Sequence, residues 1–308
     1  MLGTDDLKER IRSIARVRRG AGVGAAVVPE VDGAADARAS EPTTPGAKRR
    51  RKKRAATDTD DPKVAIAVAG VEEFLPGGEW QGKHGTVYVH ERLRSTIEKP
   101  KRGWGRLGEP PIGESDLAAV ASSGLERVLF LDLETGGLSS SPVFLAGTMH
   151  WNGSDFVLRQ YFARHYGEEA ALVEGVCELA RQFDTLVTFN GKSYDVPFLM
   201  NRAVLHGVPF HMPQGHLDIL HASRRRWRGD FEDCKLQTIE RNVCRIRRSG
   251  DVPSEEVPGL YHDFVRNGDP YRLVPVFHHN MLDVITMVEI LRALCSPEKP
   301  RKDADGWG

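Results

Sequence analysis

Asp132 and Glu134 stand two residues apart at the end of Arg127-Val128-Leu129-Phe130-Leu131, an apolar run of the kind that forms a buried central strand. Period-2 alternation points both carboxylates to one face. Two carboxylates on one face repel, and a cation is needed to hold them there. Asp195 follows Phe189-Asn190-Gly191-Lys192-Ser193-Tyr194 at a strand-to-helix junction, and Asp283 lies in His278-His279-Asn280-Met281-Leu282-Asp283-Val284 on an otherwise apolar helix. Taken singly, each acid has a structural alternative: Asp132 and Glu134 can cap a turn, Asp195 can N-cap a helix beginning at Pro197, and Asp283 can face solvent. Together they make an oxygen-rich donor set suited to Mg²⁺ or Mn²⁺. Four carboxylates suffice for two such cations about 3.5–4 Å apart, one generating hydroxide and the other stabilising the leaving oxygen of a phosphodiester.

The residues around these acids extend the same chemistry. Residues 222–248 carry nine basic side chains, among them Arg224, Arg225, Arg226 and Lys235, against four acidic ones. A basic segment beside an acidic metal site suits a polyanion: the metals neutralise the scissile phosphate and the arginines hold its neighbours. Asn190 and Lys192 are candidates for orienting water or a phosphate, and Asp218 and Asn280 for holding the ligands in place. Trp227 can stack a base or fill a core, the latter being the commoner use. Tyr261, like Lys235, is a further candidate substrate contact, whereas Tyr194, Phe198 and Leu199 read as packing residues.

Positioning these side chains requires an α/β fold. The strand at 127–132 is followed by the turn signal Gly136-Gly137 and two more strand-like runs at 143–150 and 155–162, a meander. Residues 168–183 place Leu172, Val176, Leu179, Ala180 and Phe183 on one helical face, 185–190 form another short strand, 196–206 a helix started by Pro197, and about 278–294 a closing helix. Three strands, helix, strand, helix predict a mixed sheet flanked by helices. That domain is expected over 116–296, preceded by a small segment at 63–115 with a strand pair, and followed by a tail at 297–308. Residues 1–62 read as a mostly disordered basic arm with a short amphipathic helix at 4–19, ending in the run Lys48-Arg49-Arg50-Arg51-Lys52-Lys53-Arg54.

Composition sets the frame. The 308 residues are 40% apolar and 28% charged, enough for a real core. The 43 basic and 43 acidic residues cancel, but not locally: residues 1–60 hold 14 basic against 9 acidic residues, and the rest of the chain carries the opposite excess. Cys177, Cys234, Cys244 and Cys295 form no CxxC pair, so neither a zinc cluster nor a disulfide framework is indicated. No run approaches the roughly 20 apolar residues of a membrane span. With a charged N-terminus and no signal peptide, a soluble cytoplasmic protein without a membrane partner is expected.

Phe130-Leu131-Asp132-Leu133-Glu134-Thr135, Phe189 to Leu199, and His278 to Val284 resemble the three motifs of the DEDD 3′–5′ exonucleases of the RNase H-like superfamily. His216-Leu217-Asp218-Ile219-Leu220-His221, Cys234-Lys235-Leu236-Gln237-Thr238-Ile239-Glu240, Asp251-Val252-Pro253 and Val257-Pro258-Gly259-Leu260-Tyr261 are similar to the YprB-like ribonuclease H-like family, over about residues 125–295. Some members of that family carry a repeat domain after the nuclease, which is not expected in a chain ending soon after Leu294.

The resemblance implies an RNase H-like fold and four metal ligands, Asp132, Glu134, Asp195 and Asp283. It also implies two divalent cations, Mg²⁺ or Mn²⁺, and a single-stranded DNA or RNA substrate. It further implies a general base five residues before the last acid, His278, or four before it, His279. On a helix the two point about 100° apart. Imidazole suits base work near neutral pH, and His279 is favoured because His279-Asn280-Met281-Leu282-Asp283 resembles the Tyr-Asn-x-x-Asp form. The expected function is metal-dependent 3′–5′ exonucleolytic hydrolysis. A structure-selective endonuclease and a non-catalytic nucleic-acid-binding scaffold are the alternatives.

Overall fold

A computed structural model describes residues 70–137 and 140–296. The expected N-terminal helix and basic arm, the tail, and most of the Lys63-to-Gly70 run lie outside the described residues. Among these residues seven strands form one sheet: β1 (Gly77–Gly82), β2 (Gly85–Leu93), β3 (Val128–Thr135), β4 (Val143–Trp151), β5 (Phe156–Phe162), β6 (Thr185–Thr188) and β7 (Gly215–Asp218), in the order β1-β2-β5-β4-β3-β6-β7. β1 to β5 pair antiparallel, while β6 and β7 run parallel to β3, so the sheet is mixed. The boundary expected near residue 116 does not divide the sheet. β2 hydrogen-bonds along β5 from Tyr88↔Phe162 to Leu93↔Val157, which adds two strands from the preceding segment.

Helices cover both faces. α2 (Glu169–Ala180), α3 (Asp195–His206) and α6 (Val257–Asn267) contribute to one core with Leu129 and Leu131. α1 (Ser115–Ser123), α4 (Ile219–Trp227), the short α5 (Leu236–Ile239) and much of α7 (Val274–Leu294) contribute to the other, with Val128 and Phe130. β3 is therefore apolar at every position from Val128 to Leu131 because both of its faces are covered. Continuing its alternation carries Asp132 and Glu134 onto the α7 side.

Two boundaries differ from the sequence expectation for local reasons. β6 stops at Thr188, because Asn190 adopts a left-handed backbone (φ 66°) that no strand continues. α7 begins at Val274 rather than His278, since Pro275 in its first turn fits a helix start and costs no backbone hydrogen bond. The third motif thus sits within a formed helix, not at its frayed end.

α7 can lie close to the sheet because Gly147 faces it. On β4 this glycine pairs with Asp132 on one side and Gln160 on the other. A Cβ there would stand 2.2 Å from the Asn280 side-chain oxygen. Gly147→Ala is expected to force α7 away from β3 and lower stability by about 1–3 kcal/mol, as overpacking does. A urea-unfolding midpoint equal to that of the parent chain would contradict this close approach.

Candidate active site

The four acids come from three elements and meet at one end of the sheet. Asp132 and Glu134 lie in the last half of β3, Asp195 is the first residue of α3, and Asp283 is in the middle of α7. Asp195 Oδ1 accepts the backbone N–H of Leu133 at 3.1 Å, which ties the start of α3 to the strand between the other two acids. Asp132 is held from α7: Asn280 Nδ2 donates to its Oδ2 at 2.9 Å and to its backbone carbonyl at 3.3 Å. Gln160 Nε2 in turn donates to Asn280 Oδ1 and to the Phe277 carbonyl, both at 2.9 Å. Asn280 therefore acts as an orienting clamp, fixed in its flip by Gln160.

Burial, with neighbouring like charges adding to it, raises every one of these carboxyls. Burial, then the charges of Asp283, Glu134 and Asp195, hold Asp132 well above the usual carboxylate range, against the Asn280 hydrogen bond. Burial first, with Asp283, Asp195 and Asp251 adding and His279 opposing, pushes Glu134 up to about 8. Asp195 rises to about 7 through burial and the charges of Asp218 and Asp283, opposed by backbone N–H bonds. Asp283 is raised by burial although Arg248 and His279 favour its charge. Four acids whose ionised forms are penalised, first by burial and then by neighbouring acids, form a donor set that a divalent cation would neutralise.

The two histidines part company. The ligand atoms of Glu134, His279 and Asp283 all lie within 4.8 Å of one another. His279 Nε2 is 3.3 Å from Asp283 Oδ2, and its Nδ1 is 2.8 Å from Asp251 Oδ1. Burial disfavours the imidazolium, but the hydrogen bond to Asp251 and the charges of Asp283 and Glu134 prevail and raise its pKa. His278 points elsewhere on the helix, its Nδ1 is buried with no hydrogen-bond partner, and burial lowers its pKa.

The expected supporting residues are placed unevenly. Asp218, at the end of β7, accepts the backbone N–H groups of Asn190 at 2.8 Å and Lys192 at 3.0 Å, and caps α4 through Leu220 N–H at 3.1 Å. It thus holds the turn that delivers Asp195. Gly191 is required in that turn, since a Cβ would meet Thr188 at 2.5 Å. The Lys192, Arg224 and Lys235 side chains are exposed. Arg225 is paired with Glu114, and Arg226 donates to the Ser296 carbonyl at 2.6 Å. Arg248 from the same basic segment reaches the acids: it pairs with Asp283, with Glu240 and with Asp251.

Three aromatic assignments are corrected or decided. Trp227 is 1% exposed and fills a core, so it cannot stack a base. Tyr261 is fully buried, its ring stacked on Phe144 at 4.0 Å, and is no substrate contact. Tyr194, read as a packing residue, is 67% exposed beside Asp195, because the turn before α3 projects it outward. Sequence reasoning assigned no role to Asp251, Gln160, Gly147 or Glu240. Of these Asp251 and Glu240 carried a signal, as part of Asp251-Val252-Pro253 and of the run Cys234 to Glu240.

Residues 129–295 match the RNase_H_2 family of the RNase H superfamily. The chain therefore belongs to that family, with the mixed sheet and flanking helices of an RNase H-like fold. It is 31% identical over 171 residues to the uncharacterized protein YprB of Bacillus subtilis (strain 168), covering 53% of this chain and 41% of that protein. The match thus spans less than half the length of this relative. The family B DNA polymerase of Pyrobaculum calidifontis is similar over 67% of this chain and 28% of its own, at 17% identity and a TM-score of 0.44. Membership of the superfamily supports a nuclease-type function. Among the described residues no helix is long and apolar enough to cross a membrane.

The raised carboxyls set a pH dependence. Their folded-state pKa values, about 8 for Glu134 and about 7 for Asp195, exceed the ordinary 4.5 and 3.8. At these carboxyls the folded state therefore holds more protons than the unfolded one between about pH 4 and pH 8, and their contribution to metal-free stability falls as pH rises through that window. The raised His279 acts in the same direction. Cation binding must displace those protons, so Mn²⁺ should raise the melting temperature more at about pH 8 than at about pH 5.5. Thermal melts with and without Mn²⁺ check this, and a Mn²⁺-dependent rise no larger at about pH 8 than at about pH 5.5 would contradict it.

Proposed function

We propose that this chain is a metal-dependent nuclease that trims single-stranded DNA or RNA from the 3′ end. The observation that carries the reading is the convergence of Asp132, Glu134, Asp195 and Asp283 in one cleft, each with its charged form disfavoured until a cation is supplied. These four would hold two divalent cations, Mg²⁺ or Mn²⁺. When bound, such cations supply Lewis-acid activation of the attacking water and neutralise charge at phosphorus and at the leaving oxygen.

The chain's own residues supply the rest. Nε2 of His279 lies beside Asp283 and is the proposed proton acceptor from the attacking water. His278 does not share that cluster, so of the two histidines it is assigned packing rather than proton transfer. Asn280 orients Asp132. Asp218 fixes the turn carrying Asn190 and Lys192, and Lys192, Arg224 and Lys235 offer exposed cations or donors to the flanking phosphates. Arg225 and Arg226, engaged with Glu114 and Ser296, serve the fold.

The reading is tested with Mn²⁺ and a single-stranded oligonucleotide labelled at either end. A ladder of shortening products from the 5′-labelled strand, with mononucleotide released at once from the 3′-labelled one, is expected. Both should be lost in Asp132→Ala, and His279→Ala should slow the reaction roughly 100-fold or more while His278→Ala does not. Internal fragments from both labels would show an endonuclease instead. Oligonucleotide binding with equal inactivity of the parent chain and Asp132→Ala would leave only a binding protein.

A further inference from the structure

His279 is gripped from both sides of its ring, and only one side belongs to the acid cleft. Its Nε2 is 3.3 Å from Asp283 Oδ2, in the group that His279 and Asp283 form with Glu134, whereas its Nδ1 meets Asp251 Oδ1 at 2.8 Å. Asp251 comes from the loop between α5 and α6, 28 residues before His279 in the chain, and it is none of the four cleft acids.

Asp251 is itself held in place. Its Oδ1 also accepts the backbone N–H of Val252 at 3.1 Å, and its Oδ2 receives Arg248 Nη1 at 3.1 Å and Gln237 Nε2 at 3.4 Å. Arg248 is anchored deeper in the molecule. Its Nε donates to Glu240 at 2.8 and 3.0 Å, and buried Glu240 accepts Thr286 Oγ1 of α7 at 2.9 Å. The chain Thr286–Glu240–Arg248–Asp251–His279 thus leaves α7 and returns to it seven residues earlier. A carboxylate built into the protein in this way, placed on one ring nitrogen, fixes three things at the other: which nitrogen keeps its proton, the plane of the ring, and its basicity.

We propose that Asp251 is a positioning residue for His279. It accepts the Nδ1–H hydrogen bond and leaves the Nε2 lone pair aimed at the acid cleft. The inference rests on the reading of His279 as the general base. It assigns the loop at 245–252, together with Arg248, to the reaction's proton-transfer side rather than to the phosphate wall.

A double-mutant cycle on the full chain tests it, with Mn²⁺ and a 5′-labelled single-stranded oligodeoxynucleotide. Asp251→Asn should lower kcat about 10–100-fold, the usual cost of losing such a partner, with KM nearly unchanged. His279→Ala should cost about 100-fold or more. Adding Asp251→Asn to His279→Ala should cost nothing further, because the effect passes through the ring. Asp251→Glu, which keeps the carboxylate, should recover part of the rate. Mn²⁺ affinity of Asp251→Asn should match that of the parent chain, and its melting temperature shows whether the loop is intact. If that variant is unstable, Asp251→Ser carries the same cycle. A multiplied loss in the double variant, or full rate in Asp251→Asn beside a slow His279→Ala, overturns the positioning role and leaves the base reading standing. Full rate in His279→Ala overturns both.

Discussion

Everything in this molecule turns on keeping four carboxylates together that repel one another. Two unit charges about 4–5 Å apart repel by roughly 3–4 kcal/mol at an effective dielectric constant of 20, so the gathering must be imposed by packing. β3 fixes two of the acids by alternation, with its preceding residues buried on both faces. α3 brings the third, tied by Asp195 to the Leu133 amide. α7 brings the fourth and lies close enough to grip Asp132 because Gly147 lacks a side chain. The cost appears as raised carboxyl pKa values, and it is this cost that a bound cation would relieve under the proposed function.

Within the cleft the protein also supplies charges of its own. Arg248 pairs with Asp283, and His279 lies between Asp283 and Asp251. Burial raises Asp251 but its contacts with His279 and Arg248 prevail, and its carboxyl is held below the ordinary range. The site therefore has two electrostatic sides. On one, protons or cations must compensate the four acids, and on the other an Arg–Asp–His array is compensated internally. The two sides meet at a single imidazole, whose Nε2 edge faces Asp283 and whose Nδ1 edge is held by Asp251.

Much of this was legible in the sequence because it is periodic. The Val128-to-Asp132 run announces a central strand, and Asp132 and Glu134 share a face by their spacing alone. Asp195 and Asp283 were legible as acids in the wrong surroundings for packing. What could not be read was long-range. The nine basic residues of 222–248 look alike along the chain, yet Arg248 turns inward to the acids while Arg225 is paired with Glu114, because Asp283 of α7 is brought beside Arg248 only in the fold. Gly147 and Gln160 gain their roles from strand register, and β2 joins the sheet through a pairing 64 or more residues distant, for which composition gives no sign. Trp227 and Tyr261 illustrate the converse: aromatic residues beside a basic segment invite a stacking role, and burial denies it.

Calorimetric titration of Mn²⁺ into the metal-free chain measures the central claim directly. The account predicts saturable binding of two cations per chain, proton release that grows as the pH falls from about 8 toward 6, and loss of binding in Asp132→Asn and Asp283→Asn with the fold retained. Absence of saturable binding, or binding equally strong in both variants, would contradict the claim that these four carboxylates are gathered to hold metal.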